Sequence, residues 1–576
     1  MKVHTLLSLL CFTTTSKVKR SPRVAANTLC PTPPLPAATT QHENEIILNT
    51  DPINNQQFSS FFRFDQAPDA PSTIVDDDTL KLPQVSPKSH FGCQIPFCPM
   101  SKGGRHMTAE QLEPYRHIGD PALDDLVEYM ASRGFPLKPQ DDLLQRKYPR
   151  DIQTRIDDFV RYYSEIPDWV DVAQLERGQS VFLRNADAMT ATLYHKSLVA
   201  GFSIPKIAKV ISATAYLAPP SSPEQVSQRL LDTSALVASC MGLGSAPLLP
   251  GGEAWRTALH VRILHAKVRR NLLNRQGEHA WDVDEYGIPI NQEDMAATLL
   301  AFSTNVLDGV EFVGGIAVSK QDQEDYLALW RYIGWVLGVY TSHDDDKTLP
   351  YTKTKTTHTP PLPSLDPCGP GWYEKYPNPL LHSRQLLQSI ILHLLEPDAS
   401  SKIVAHNLLG VGAGTMIGVA TKGQTRDKRK KDTRASKASR SPYGFYLRSF
   451  HCRCMIGDAL ADALELPLHP NRFMRWCVQK HGLAIWWTLR LSTWAGRLPI
   501  TRQVVVGLRL FFLQMYYNHW KTDHATRMAE GVHRNNQQKD DVGTPKKAAC
   551  PFAAFARGSG QALPTVCPFA MVAEPQ

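Results

Sequence analysis

The sequence lacks several features that mark secreted or membrane-spanning proteins. Its 576 residues contain no Asn-x-Ser/Thr acceptor for N-glycosylation. Its 11 cysteines are odd in number and do not show the spacing of a disulfide framework, which fits a reducing compartment. The apolar run at 5–12 is shorter than the roughly 20 residues that a membrane-spanning helix needs, so we interpret it as a disordered tail, with a poor membrane anchor or a targeting fragment as the alternative. Arg509 and the short length argue against 504–520 as a membrane span, whereas an amphipathic helix that lies on a membrane would fit. We therefore expect a cytoplasmic location or the cytosolic face of an endomembrane such as the endoplasmic reticulum.

The sequence also lacks the strict alternation of apolar and polar residues that is typical of β-strands. From about residue 108 onward, apolar residues instead recur at spacings of three and four, which favours amphipathic helices. These patterns predict an all-α protein with one large helical domain over residues 106–525. The flanking stretches 1–105 and 526–576 have little periodic pattern, and we expect them to be disordered. The second contains a small repeat, Cys-Pro-Phe-Ala, at Cys550 and Cys567.

The net charge of +8 lies mostly in one stretch, 421–441, whose nine basic and two acidic residues give a local charge of +7. Together with the Pro- and Thr-rich stretch 341–371, it is interpreted as a loop insertion in the helical domain. A solvated loop is the usual interpretation of such a charge run, with attraction to an anionic membrane surface or nuclear localisation as alternatives. No aromatic residues are interleaved with the charges, so no nucleic-acid partner is expected.

One predicted helix, Gly251–Leu273, carries the candidate site. Its spacing places five residues on one face: Val261, Leu264, His265, Val268 and Leu272. An imidazole in an apolar face loses its water and needs a partner, because a buried polar group without one costs about 1–3 kcal/mol. That partner is either a backbone carbonyl, as for an ordinary core histidine, or a metal such as haem iron.

A second pair of residues precedes this helix. Arg229 and Thr233 are four residues apart, so on a helix they share a face. A permanently charged guanidinium is a natural partner for a haem propionate or a polarised oxygen species. The alternative is an exposed arginine beside a surface threonine.

Several motifs in order resemble one known family. They are Arg229-Leu-Leu-Asp-Thr233, Pro250-Gly-Gly followed by Trp255, Val261-Arg-Ile-Leu-His-Ala-Lys-Val-Arg269, Tyr286-Gly-Ile-Pro-Ile-Asn-Gln-Glu-Asp294, Tyr326-Leu-Ala-Leu-Trp-Arg-Tyr-Ile-Gly-Trp-Val-Leu-Gly338 and Ile456-Gly-Asp-Ala-Leu-Ala-Asp-Ala-Leu-Glu-Leu-Pro467. This series resembles the latex-clearing protein and rubber oxygenase family, which includes the fungal oxygenases of mycophenolic acid biosynthesis. Motifs in the same order are far more specific than any single motif.

The resemblance implies a globin-like helical core that binds haem b, with His265 as the iron ligand and Arg229 and Thr233 near the haem. It further implies a haem-dependent oxygenase that uses dioxygen to oxidise or cleave a carbon-carbon double bond of an apolar, isoprenoid-like substrate. In this interpretation the haem supplies the difficult chemistry, and the protein supplies ligation, an apolar channel and local polarity.

The sequence departs from the family pattern at two places. The rubber-cleaving bacterial members carry a glutamate, proposed as a base, in a region that here reads Val-Ile-Ser-Ala-Thr-Ala-Tyr-Leu over 210–217. Ala213 and Thr214 cannot act as that base, and Asp232 stands where those enzymes have a lysine. Three alternatives therefore stay open: another tailoring oxygenation in secondary metabolism, a non-catalytic membrane-associated helical module, and a non-haem iron or copper site. The last would need a second histidine, and His260 is off the face of His265.

Overall fold

The computed structural model describes residues 88–540, except for 92, 96, 100–105, 138–142, 145, 220, 243–245, 340–364, 370–378 and 412–441. The predicted basic loop 421–441, nearly all of the predicted loop 341–371, the stretch 1–87 and both Cys-Pro-Phe-Ala repeats lie outside the described residues. The structural statements below concern the described part of the chain.

The described chain is a succession of helices, which confirms the all-α class. In chain order the elements are β1 (Lys88–His90), β2 (Cys93–Ile95), α1 (Ala109–Leu112), a 3-10 turn (Glu113–His117), α2 (Pro121–Ser132), α3 (Arg150–Ser164), α4 (Val172–Thr192), a π-helical turn (Leu193–Leu198), α5 (Val199–Gly201), α6 (Pro205–Ala213), α7 (Pro223–Met241), α8 (Glu253–Leu273), a 3-10 turn (Gly277–His279), α9 (Val283–Tyr286), α10 (Gln292–Phe302), α11 (Thr304–Gly314), α12 (Lys320–Val336), α13 (Pro379–Leu394), α14 (Ala399–Val411), α15 (Pro442–Ile456), α16 (Asp458–Ala463), α17 (Arg472–Arg497) and α18 (Pro499–Asp540).

Both ends of the predicted helical domain differ from the expectation. β1 and β2 pair antiparallel inside the stretch 1–105, where we expected no order, and Ile95 is fully buried in the core. Three-residue strands are too short to show an alternating pattern, which is why the sequence gives no sign of them. At the other end, α18 continues to Asp540, beyond the predicted limit at residue 525. The haem-binding and globin-like parts of the prediction are not decided by these helices.

Helix α4 is the central element of the core. It packs against α11, α12, α17 and α18. Gly178 permits the close approach of α12, because a Cβ there would lie 2.5 Å from the Asp325 carbonyl oxygen and 2.8 Å from Leu329 Cβ. The helices α7 and α8, which carry the predicted site, pack against each other at one side of this core, and α7 also contacts α18.

One segment of the described chain has the length and apolar composition of a membrane span. It is Gln292–Gly314, and 61% of its most apolar 18-residue stretch is buried inside the protein. The segment is not one continuous helix, because α10 ends at Phe302 and α11 begins at Thr304, with a kink at Ser303 (φ −108°, ψ −88°). A buried pair of core helices meets the same length and composition criteria as a membrane span.

Candidate active site

Helix α8 carries His265 and forms where the sequence predicted it. It begins after Gly252, which has an extended conformation, and ends at Leu273. The predicted apolar face is wrong, however, since Leu264 is 49% exposed. The buried face instead includes Arg262 and Arg269, which are 2% and 3% exposed. The hydrophobic pattern assigns charged residues to the solvent side, and here buried acidic partners reverse that assignment.

His265 lies on the flank of this buried face. Its Nδ1 atom is buried and has no hydrogen-bond partner. Burial, and to a lesser degree the charge of Arg269, lower the pKa of His265 to about 4, so the imidazole is neutral at pH 7. A buried polar atom without a partner costs free energy. A neutral imidazole is also the form that binds a metal, so His265 fits the ligand role that the resemblance implies.

An ion pair one turn before His265 fixes α8 to the start of α2. Arg262 Nε and Nη2 donate to the two carboxylate oxygens of Asp120 at 2.6 and 2.8 Å, and Nη2 also donates to Tyr163 Oη at 2.7 Å. Asp120 is 4% exposed and caps α2. Two charges buried in this geometry hold the helices in one register, because either charge alone would be costly in the interior.

Two other family-like motifs meet at this ion pair. Gly338 has a left-handed backbone (φ +89°), and a Cβ there would lie 2.7 Å from both Arg262 Nε and Asp120 Oδ2. Only glycine satisfies both the conformation and the space. Gln292 Nε2 donates to the carbonyls of Gly119 and Gly338 at 2.7 and 3.0 Å. Stretches of the chain that are far apart in sequence therefore meet around Arg262, in the middle of α8.

A second ion pair follows His265 by one turn. Arg269 Nη1 donates to Asp124 Oδ1 at 2.6 Å, and its other nitrogens donate to the carbonyls of Pro289 and Ile290 at 3.1 and 2.8 Å. Burial raises the pKa of Asp124 to about 6, against the opposing effect of Arg269. His265 is thus held between two anchored turns of α8.

Arg229 and Thr233 lie on α7 and share a face, as predicted. The Arg229 guanidinium donates to the carbonyls of Ala215 and Tyr216 and, at 2.9 Å, to Ser221 Oγ. Thr233 Oγ1 and Tyr216 Oη both donate to the Arg229 carbonyl, at 3.1 and 3.4 Å. In this arrangement Arg229 closes the loop between α6 and α7. Neither residue makes a hydrogen bond to His265, although α7 and α8 pack together.

A cavity of about 290 Å³ lies beside this loop. It is lined by Ser221, Pro223, Val226, His406, Asn407, Gly410, Val411 and Phe445. Ser221 joins the cavity to Arg229, because its hydroxyl accepts a hydrogen bond from the guanidinium. Neither His265 nor Thr233 lines this cavity. The structure therefore brings Arg229, and not His265, next to a preformed space.

Asp232, which replaces the family's lysine, has a structural partner. Its Oδ1 accepts hydrogen bonds from Trp520 Nε1 at 2.8 Å and from Gln228 Nε2 at 3.0 Å. Trp520 belongs to α18, so the contact ties α7 to the last helix. Thr214, in the neutral region 210–217, donates to the Val210 carbonyl at 2.8 Å. Neither position supplies the base or the lysine found in the rubber-cleaving members.

Sequence reasoning missed a second buried histidine site. His195 lies in the π-helical turn, and its ring centroid is 5.2 Å from that of His451 on α15. His451 is 3% exposed, and neither of its ring nitrogens has a hydrogen-bond partner. The nearby Trp486 Nε1 is also buried without a partner. Burial lowers the pKa of His195 to about 4 and that of His451 well below its usual value. π-Turns are frequent at functional sites, but they have no sequence signature.

The positions of the metal-binding side chains can be compared with the third alternative, a non-haem iron or copper site. Among the described residues, no group of three or more His, Cys, Asp or Glu side chains is placed to hold a metal ion. His260 is exposed and its Nδ1 contacts the Arg256 carbonyl at 2.7 Å, away from His265. A single histidine beside a porphyrin needs no such group, because the porphyrin supplies the other ligands.

Comparison with known proteins shows a similarity to one family over part of the chain. Residues 221–479 match the family model described as "ER-bound oxygenase mpaB/B'/Rubber oxygenase, catalytic domain". A solved structure described as latex clearing protein LCP in the closed state is similar at 18% identity, with a TM-score of 0.42, covering 70% of this chain and 91% of that chain. A search of curated proteins found no match. The matched residues include Arg229, Thr233, His265 and His451, and over this part of its length the chain is similar to the catalytic domain of mpaB-type and rubber oxygenases.

Proposed function

We propose that the protein is a haem b-dependent oxygenase whose iron ligand is His265 and whose substrate is an apolar, isoprenoid-like molecule. The observation that carries the proposal is the buried Nδ1 of His265, which has no partner, on an imidazole that is neutral at pH 7. The match of residues 221–479 to a family of oxygenase catalytic domains supports the reaction class. When bound, haem would supply the activation of dioxygen at iron.

The residues of the chain would position and polarise the site. The ion pairs of Arg262 and Arg269 would hold α8, and with it the imidazole of His265, in a fixed orientation. Arg229, half-buried beside the cavity, keeps a permanent positive charge that would attract a propionate or a polarised oxygen atom. Thr233 would add a hydroxyl on the same face of α7. Arg229 and Thr233 thus act as proposed site residues in addition to their loop contacts.

The proposed reaction does not include a side-chain base at residues 213 and 214. Thr214 has a hydroxyl that is bonded to its own helix, and Ala213 has no polar group. We therefore propose oxidation or cleavage of a carbon-carbon double bond without an allylic base at these positions. The second candidate is a different tailoring oxygenation on the same scaffold, and it is favoured because residues 213 and 214 supply no base and Asp232 binds Trp520 and Gln228.

The decisive experiment is the absorption spectrum of the full-length protein, expressed with added haem, in the oxidised and dithionite-reduced states. The wild type is compared with His265→Ala, His451→Ala and His260→Ala. We expect a Soret band in the wild type that is lost or shifted only in His265→Ala. His260→Ala is the matched control, because His260 lies on the same helix and is exposed.

Each other outcome overturns a defined part of the proposal. Loss of the Soret band in His451→Ala alone would transfer the ligand role to the second histidine site. A wild type that binds no haem would exclude the haem oxygenase and leave the non-catalytic helical module. Circular dichroism of each variant separates loss of haem from loss of fold.

A second experiment separates the two reaction candidates. The protein is incubated with a short polyprenyl compound under ¹⁸O₂, with and without a chemical reductant that supplies the two electrons a monooxygenation needs. The products are reduced with borohydride at once, so that carbonyl oxygens do not exchange with water, and are analysed by mass spectrometry. Cleavage of a double bond gives two carbonyl fragments that each carry one labelled oxygen, whereas a monooxygenation gives one intact product with one labelled oxygen. Products without label would refute dioxygen as the co-substrate.

A further inference from the structure

The two last helices expose a row of large apolar side chains. On α17 and the turn after it, Phe473, Trp476, Trp487, Leu491, Trp494 and Leu498 are between 36% and 68% exposed. On α18, Ile500, Val504, Leu508, Phe511 and Met515 are between 46% and 92% exposed. The α18 residues recur at spacings of four, four, three and four, so they lie along one face. We call these eleven residues the apolar row.

The opposite faces of both helices are fixed to the body of the protein. On α17, Val478, Ile485, Trp486 and Leu489 are buried. On α18, Arg509 donates to the Leu183 and Arg184 carbonyls of α4 at 2.9 and 2.7 Å. Arg509 also donates to Ser492 Oγ of α17 at 3.0 Å, which holds the helices side by side. The apolar row therefore points away from the body.

The apolar row is too large to be an ordinary surface. The five aromatic residues of the row bury about 150–250 Å² each when fully covered, so at about half exposure they alone present roughly 500 Å², to which the six Leu, Ile, Val and Met side chains add. The largest apolar patch on a typical soluble monomer is about 300–600 Å², and larger patches mark contact with a protein or a membrane. We therefore expect a protein or a membrane to cover the apolar row.

The charge around the apolar row indicates an anionic membrane as the surface that covers it. From Pro467 to Thr522 the sequence contains eight Lys or Arg residues and neither Asp nor Glu. Arg472, Lys480 and Arg502 are exposed beside the row. A basic helix surface with Trp, Phe and Leu on its apolar face is the composition of helices that lie in the interface of an anionic membrane. Trp476, Trp487 and Trp494 also match the preference of tryptophan for the interface.

We propose that α17 and the first half of α18 form a docking surface for anionic lipid membranes, with the apolar row inserted among the lipids. The surface lies outside the predicted basic loop 421–441 and uses different residues. It is independent of the proposed haem site, since none of its residues is His265, Arg229 or Thr233. Such docking would bring an apolar substrate dissolved in the membrane to the surface of the enzyme.

The test is flotation of the full-length protein with vesicles of phosphatidylcholine, with and without phosphatidylserine. We expect binding to the anionic vesicles that weakens at high salt. The triple variant Val504→Gln, Leu508→Gln and Phe511→Gln should bind at least about tenfold more weakly, because it removes three apolar contacts from the row. These positions are exposed, so the fold should persist, as circular dichroism would verify.

Two controls make the outcome specific. Ile166→Gln with Ile403→Gln replaces apolar residues that are 41% and 46% exposed elsewhere, and it should bind as the wild type does. A variant with glutamine at positions 428–431 tests the basic loop. If this variant loses binding and the triple variant keeps it, the loop is the membrane contact and the proposal is wrong. A wild-type dimer without lipid that the triple variant converts to a monomer would show that a second copy covers the row. Equal binding to neutral vesicles would refute the role of charge.

Discussion

The substitution Asp120→Asn tests the buried ion pair that anchors α8. Asparagine keeps the shape of the side chain and can still accept the capping bond of α2, so the change removes mainly the negative charge. Arg262 would then remain charged while 2% exposed, with Tyr163 Oη as its closest remaining partner. Leaving one member of a buried pair without the other costs about 3–5 kcal/mol of unfolding free energy.

The assay is chemical denaturation followed by far-ultraviolet circular dichroism. The matched control is Glu465→Gln, which removes the anion of the Lys402–Glu465 pair (2.7 Å) on the surface, and it should leave the midpoint unchanged. The double variant Asp120→Asn with Arg262→Met removes both charges and should be more stable than Asp120→Asn alone. If Asp120→Asn also leaves the midpoint unchanged, the pair does not anchor α8, and our account of how His265 is oriented is wrong.

Two further predictions concern the core. Gly309→Ala should cost about 1–3 kcal/mol in unfolding free energy, because the new Cβ would overlap the Thr192 side chain. The control is Gly410→Ala, where a Cβ would meet open space, and it should be neutral or stabilising in the same denaturation assay. Burial, and secondarily the charge of Glu293, raise the pKa of Asp294 to about 7. The folded protein therefore holds this proton more tightly than the unfolded chain does. The resulting stabilisation is fully present below about pH 4 and is lost as the pH rises through 7. Asp294→Asn should therefore remove part of the stability loss between about pH 4 and 7, at most about 4 kcal/mol over that range, and an unchanged pH profile of the unfolding midpoint would contradict this reasoning.

The local structure of α8 could be predicted from sequence, but its buried face could not. Helical spacing and Gly252 were sufficient to place the helix. The burial of Arg262 depends on Asp120, which is 142 residues away in sequence. No local pattern reveals a partner at that distance, so the hydrophobic rule assigned Leu264 to the core and left Arg262 outside.

The candidate site shows the same limit. The resemblance named His265, Arg229 and Thr233, and the structure places all three on two packed helices. Their roles stay predictions. The pair His195 and His451 had no sequence signal, because the contact depends on how α15 crosses a π-turn. Likewise, the apolar composition near residues 504–520 suggested a membrane-surface helix, but only the packing shows which face is free.

The π-turn also constrains how the chain can change over evolution. A π-turn holds one more residue than the α-helical turn it replaces, and here it joins α4 to α5 while it places His195 in the core. Deleting one residue from Leu193–Leu198 would restore a regular helical turn and leave α4 and α5 nearly in register, because the extra residue is accommodated inside the turn. A deletion within the regular part of α4 would instead rotate Gly178, which meets Leu329, by about 100° away from α12. The π-turn is therefore a place where this long helix can lose one residue without misaligning its partners, although the loss would move His195.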